Sequence, residues 1–166
     1  MDFNKWLTDF KVAHRKAGRG ELAAGLLEQH HKDRDELARA VFSNRGLPMA
    51  PSAQPRAALK TTRVLPIELE LGGRLRPLMT LELSSGGFSV LAGESPGSPD
   101  KLLSFTLKLP GDGGPISGHA RCLKVDKHGS SRTFRCELVF DDDVGTICRE
   151  RIEHFVFDDL LANLTK

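Results

Sequence analysis

Between residues 62 and 140 the apolar side chains fall on every second position, in about six short runs separated by glycine-rich corners. A period of two places one set of side chains on one face of a pleated strand. In residues 63–71, Leu65, Ile67, Leu69 and Leu71 share a face, while Pro66, Glu68 and Glu70 take the other. Gly72-Gly73 marks a turn. Residues 78–84 and 87–92 follow as strands about the Ser85-Gly86 corner. A loop then leads to residues 102–110, where Leu103, Phe105, Leu107 and Leu109 alternate. After the turn at Gly111-Asp112-Gly113-Gly114 come residues 116–126. Beyond His128-Gly129, residues 130–140 set Phe134, Cys136, Leu138 and Phe140 on one side. Six short strands with glycine corners predict an antiparallel barrel or sandwich, with Leu65, Ile67, Phe105, Leu107, Phe134 and Leu138 inside.

The flanks have a helical period. Asp2 is placed to cap the first free N–H groups of a helix in which Phe3, Trp6, Leu7, Phe10 and Ala13 form one stripe. Gly18 and Gly20 interrupt it. A second period runs through Leu22, Leu26, Leu27, His30, Leu37, Val41 and Phe42, and Gly46 and Pro48 stop it. The product is an antiparallel helical hairpin with one apolar face to cover, on the rest of the chain, on a second copy in a homodimer, or on a partner protein. Residues 46–58 hold three prolines and few core formers, as a linker does. At the other end, Asp141-Asp142-Asp143 suits a helix N-terminus, and Ile147, Ile152, Phe155, Val156, Leu160 and Leu164 follow on one helical face. The predicted organisation is a helical hairpin at 1–45, a linker at 46–61, and a barrel with its C-terminal helix at 62–166.

Charge divides the chain. Residues 1–60 carry 11 basic and 7 acidic groups, residues 141–166 carry 3 and 7, and the whole stands at only +2. The two ends can attract each other within one chain or between chains, while the small net charge points to no nucleic acid. With 39% hydrophobic and 28% charged residues the chain is not a disordered one. No apolar run reaches the ~20 residues of a membrane span, and the first residues lack the order of a secretory signal. Cys122, Cys136 and Cys148 are too few for a disulfide framework, which suits a reduced, cytoplasmic setting. Cys122 and Cys136 read as small hydrophobes on strands. No paired-cysteine or paired-histidine ligand spacing, nucleophile elbow, P-loop or dinucleotide fingerprint occurs, and the adjacent His30 and His31 point about 100° apart on a helix. The expectation is therefore a binding or interaction module with no catalytic residues and no metal. An aromatic content of 6% with no Tyr argues against a base-stacking single-strand binder.

One segment says more. Glu82, Ser84 and Gly87, followed by an apolar strand, resemble the second signature of PilZ domains, Asp/Asn-x-Ser-x-x-Gly. The resemblance covers roughly residues 56–160. It implies a six-stranded antiparallel PilZ-like β-barrel with a C-terminal helix, here with an N-terminal helical hairpin added. It also implies a bacterial signalling role as a receptor for cyclic di-GMP, a regulatory ligand rather than a cofactor, or as a relative that acts through protein contacts alone. The family's first signature, Arg-x-x-x-Arg before the first strand, matches at Arg63, but Leu59 stands four residues earlier. Arg56 and Lys60 offer a second register. The implied ligand-binding set is Arg56, Lys60, Arg63, Glu82, Ser84 and Gly87. Arginines at such a site fork onto phosphates and stack on guanines, whereas lysine keeps only the charge. Leu59 and Glu82 thus leave two readings open. One is a cyclic di-GMP receptor with a modified site; the other is an adaptor that binds no nucleotide and works by protein contacts or oligomerisation.

Overall fold

The computed structural model describes residues 2–42, 59–111, 113–129 and 132–164. Two helices open the chain, α1 (Phe3–Gly18) and α2 (Ala24–Phe42). Asp2 caps α1 as expected, its Oδ1 accepting from Lys5 N at 3.4 Å. Seven strands follow: β1 (Lys60–Thr61), β2 (Pro66–Leu71), β3 (Arg74–Ser84), β4 (Gly87–Ala92), β5 (Leu102–Leu107), β6 (Ile116–His128) and β7 (Thr133–Phe140). Helix α3 (Thr146–Leu164) ends the described chain. The expected stop at Gly46 and Pro48 and the linker at 46–58 lie outside the described residues.

Six of the strands close a ring in the order β3-β2-β5-β6-β7-β4, with β4 pairing back onto β3, and every pairing is antiparallel. Closure removes the open edges that a flat sheet would present. Gly72 and Gly73 both have positive φ, 59° and 78°, the geometry of a tight two-residue hairpin turn between β2 and β3. The inward residues are those that the alternation named: Leu65, Ile67, Leu69, Leu71, Leu103, Phe105, Leu107 and Leu138 are buried, and Phe134 is half-buried. Phe88, Phe105 and Phe140 meet with ring centroids 5.2–5.7 Å apart. Cys122 and Cys136 are buried free thiols, and burial pushes the Cys136 thiol up to about 11, so it acts as a hydrophobe.

The seventh strand, β1, is the addition that periodicity did not reveal. Its two residues pair with the end of β3, Lys60 with Ser84 and Thr61 with Leu83. The acidic run also behaves differently from the expectation. Asp141–Asp143 form a turn, and α3 begins only at Thr146. Asp143 is drawn away to the barrel, where its Oδ1 accepts from His119 N and its Oδ2 lies 2.6 Å from His119 Nδ1. Ile147, expected on the apolar face, is 73% exposed.

Helix α3 lies between two partners. Ile152, Val156 and Asp159 recur at four- and three-residue steps on one face, and Asp159 accepts from Thr61 Oγ1 on β1. Glu150, Glu153 and Phe157 occupy another face and meet the helical hairpin. Arg34, fully buried on α2, donates to Glu150 at 2.9 Å and pairs with Glu153 at 3.1 Å. The basic start and acidic end of the chain therefore meet in cis. Phe10 packs 6.0 Å from the Phe157 ring. Of the expected hairpin stripe, Phe10 is buried and Trp6, Leu7 and Leu22 are half-buried, but Leu26 faces solvent. No helix among the described residues is long and apolar enough to cross a membrane.

Candidate functional site

The β3–β4 corner is built by Ser84, Ser85, Gly86 and Gly87. Ser84 Oγ accepts from Gly86 N at 3.2 Å, which tightens the turn from inside. Gly87 then enters β4 against β7. A Cβ there would collide with the Leu138 carbonyl oxygen and stand 2.9 Å from Val139 Cα, so only glycine lets the two backbones approach. Arg149 of α3 holds the corner from behind, donating to the carbonyls of Ser85 (3.3 Å), Phe140 (3.3 Å) and Asp141 (3.0 Å). The corner is thus held from three sides.

An open cavity of about 360 Å³ lies over this corner, walled by Lys60, Glu82, Ser84, Gly87, Ser89 and Glu137 among others. Strand register explains the grouping. Lys60 is opposite Ser84, Glu82 opposite Ser89, and Ser89 opposite Glu137, so side chains from four strands share one outer face. Lys60 Nζ sits 3.3 Å from Glu82 Oε2, and Arg135 Nη2 donates to Glu82 Oε1 at 3.4 Å. Ser89 is 3% exposed, and its hydroxyl has no hydrogen-bond partner among the described residues. A buried hydroxyl left unpaired costs roughly 1–3 kcal/mol, and a polar ligand in the cavity would remove that cost.

The architecture matches solved structures. The inhibitor of motility MotI/DgrA of Bacillus subtilis superposes with a TM-score of 0.55 at 16% identity, over 63% of this chain and 50% of that one. YcgR of Escherichia coli in complex with c-di-GMP gives 0.52 at 14% identity, over 64% and 46%. The PilZ domain of YcgR with c-di-GMP gives 0.51 at 15%, over 68% of this chain and 97% of that domain. The fold is PilZ-like. This chain spans about half the length of the first two proteins but nearly the whole of the isolated PilZ domain. No family model and no curated protein matches the sequence.

Within the PilZ-like barrel, Lys60, Glu82, Ser84 and Gly87 come together at the cavity. Arg63 does not line it. Its guanidinium lies 3.4 Å from Asp159 and 5.4 Å from the centre of the Phe155 ring, both on α3, and its side chain is half exposed. The backbone there is pinned by Thr61 Oγ1, which accepts from Arg63 N, and by Thr80 Oγ1, which donates to Arg63 O. Arg56 lies outside the described residues. Leu59 is buried in the core cluster, which is why an apolar residue stands at that position of the first signature. Arg135, Glu137, Ser89 and Asp159 belong to the surroundings of the site but carried no motif. Alternation placed Arg135 and Glu137 on the outer face of β7; it did not show that β4 would bring Glu82 beside them.

A second cluster sits between the helices. His14 Nδ1 is 3.2 Å from His30 Nε2, and His14 Nε2 is 2.7 Å from Asp158 Oδ1. His154 Nε2 is 3.1 Å from Asp158 Oδ2, and the His14 and His154 rings stack at 3.9 Å. Burial lowers the pKa of both His14 and His30, the latter to about 4, so both rings are neutral at pH 7. His31 lies 2.6 Å from Glu150. His30 and His31 do point apart, one to His14 and the other to Glu150. No spacing along the sequence announces this cluster, because its partners come from three helices.

Proposed function

We propose that this chain is a non-catalytic, PilZ-like signalling module. In this reading the cavity over the Ser84–Gly87 corner receives cyclic di-GMP, and Lys60, Arg135 and Arg63 supply cationic contacts to its phosphates. Ser84, Gly87 and Ser89 line the floor, and Glu82 faces a guanine edge. The observation that supports this reading is the pairing of Lys60 with Ser84 across β1 and β3, which sets one cation from the segment before the barrel beside the Ser84–Gly87 corner.

The cations already have carboxylate partners, and magnitudes decide whether a phosphate can displace them. Lys60 and Glu82 side chains are about one-third exposed, at 35% and 33%. Such pairs contribute ~0–1 kcal/mol. A charge-assisted hydrogen bond to phosphate contributes ~1.5–3 kcal/mol. The pairs are weak enough for a phosphate to compete for these cations. Arg63 can leave Asp159 without orphaning it, because Thr61 Oγ1 keeps donating to that carboxylate. Movement of Arg63 would loosen one tie between the barrel and α3, and α3 carries the helical hairpin. Output then runs through protein contacts of the N-terminal helices, with a partner or a second copy. The adaptor reading has one observation in its favour, since Lys60, Arg63 and Arg135 all have carboxylate partners within the chain.

Calorimetric titration with cyclic di-GMP separates the two. The receptor reading expects a Kd in the micromolar range or tighter, weakened at least about tenfold by Arg63→Ala and by Lys60→Ala. Lys60→Arg, which restores a planar fork, should tighten binding. No heat from the native chain or from Lys60→Arg, with both folded, would leave the adaptor reading.

A further inference from the structure

We propose that a second cavity, between the α1–α2 turn, the first turns of α3 and the β5–β6 turn, binds a small amphiphilic anion, a carboxylate on an apolar chain. The cavity measures about 650 Å³, within the range of small-molecule sites. It shares no wall residue with the cavity over the Ser84–Gly87 corner. Ala17, Leu22 and Leu27 of the hairpin and Ile147 of α3 give it apolar walls, and Arg19 and Arg151 stand in the same lining.

Arg151 is held in place before any ligand arrives. Its Nη2 donates to the Gly114 carbonyl at 2.7 Å. Its guanidinium lies against Gly113, where a Cβ would stand 2.5, 2.9 and 3.1 Å from Nη2, Cζ and Nε, so glycine is what lets the planar group rest on the backbone. An arginine has five N–H donors, and the bond to Gly114 uses one of them. Neither Arg151 nor Arg19 is paired with a carboxylate among the described residues. Glu150, the acid in this lining, is 8% exposed and is turned to His31 and Arg34. An entering anion therefore meets two cations that can fork onto a carboxylate.

The apolar half of the ligand follows from Ile147. Its place in the sequence pattern is apolar, yet it is 73% exposed and lines the cavity. Leu22 and Leu27 are half-buried in the same lining. A hydrocarbon chain laid against these three side chains removes apolar surface from water on both partners. An inorganic anion would meet the arginines and leave that surface wet. A neutral apolar molecule would cover it and leave two cations unmatched. A carboxylate with a chain satisfies both. Because the walls come from the hairpin, from α3 and from the turn at Gly113, the occupant also ties the three together.

The test uses the full chain and sodium decanoate, titrated calorimetrically below its micellar concentration. One saturable site per chain is expected. Octanoate should bind at least about threefold more weakly than decanoate, since each fully buried methylene contributes about fourfold. Acetate and octanol each lack one half of the recognised chemistry and should bind at least about tenfold more weakly than octanoate. Arg19→Gln and Arg151→Gln should each weaken decanoate about tenfold, and Ile147→Ser about threefold. Arg74→Gln, at the exposed start of β3, should change nothing. Decanoate should raise the thermal midpoint of the native chain and raise it less in Arg19→Gln. Arg19 and Ile147 are exposed, so their variants keep the fold, which circular dichroism verifies. No saturable binding by the native chain, octanol or acetate as tight as octanoate, or the same affinity in Arg19→Gln, Arg151→Gln and Arg74→Gln would each overturn the proposal.

Discussion

Gly87 and Leu59 show how single residues constrain the corner and its surroundings. Gly87 leaves no room for a methyl group beneath Leu138, because the obstacle is backbone that cannot rotate away. Gly87→Ala should therefore destabilise the barrel by about 3 kcal/mol, read as a lowered urea midpoint with unchanged slope. A loss below about 1 kcal/mol would show that β4 and β7 can separate at no great cost. Leu59 carries the opposite constraint. The signature comparison alone suggests Leu59→Arg as the way to complete an arginine pair, but the side chain is 7% exposed and packs in the core. Leu59→Arg should cost about 2–4 kcal/mol from lost packing and a buried charge, with no gain in nucleotide binding. Lys60 is the neighbour that faces the cavity, and it is the position where an arginine can act.

Among the elements, α3 connects the others. Its Glu150 is buried between His31 and Arg34 of α2, with Glu153 as the next acid along α3. Burial alone would raise the Glu150 pKa, but hydrogen bonds from His31 and Arg34 overcome it and bring the group down to about 2. The sign follows from linkage. A carboxyl with a depressed folded pKa stabilises the fold fully above its unfolded value near 4.5, and the stabilisation is lost as pH falls toward 2. The contribution is roughly 2 kcal/mol after allowance for solvent screening. Urea midpoints measured between pH 7 and pH 3 should fall for the native chain and fall less for Glu150→Gln. That variant should also lose stability at pH 7, because Arg34 then keeps only Glu153. Parallel pH profiles for the two proteins would remove Glu150 as the source of the slope.

Across the whole molecule, α3 packs against both the hairpin and the barrel, so the two are expected to unfold as one cooperative unit. Trp6 is the single tryptophan, and its ring stacks 5.6 Å from Phe10, which in turn meets Phe157. Tryptophan fluorescence therefore reports the hairpin, while far-ultraviolet dichroism in the strand region reports the barrel. The two thermal transitions should coincide. Phe10→Ala removes one of the contacts that join α1 to α3 and should lower both midpoints together by roughly 6–12 °C, from a loss of about 3 kcal/mol. A Trp6 transition well ahead of the barrel transition would mean that the hairpin detaches as a separate unit, free to meet another chain while the barrel stays folded.

The strands were legible in the sequence because alternation is local. Whether a side chain faces inward depends on its parity along the run, so Ile67, Phe105, Leu107 and Leu138 were placed correctly without any partner in view. The corner at Ser84–Gly87 was legible for the same reason, since its turn is closed by its own residues. Tertiary structure decided everything that joins distant positions. Nothing near Lys60 announces that two residues will pair with β3, and nothing near Asp143 announces that His119 will draw it out of a helix start. The charge imbalance between the ends of the chain foretold an attraction, but not that Arg34 would be buried with Glu150 and Glu153 in cis. His14, His30, His154 and Asp158 carry no shared spacing, because helices from both ends of the chain deliver them to one point. Periodicity records which way a residue faces. What it faces is set by how the barrel closes and by how the helices then cover it.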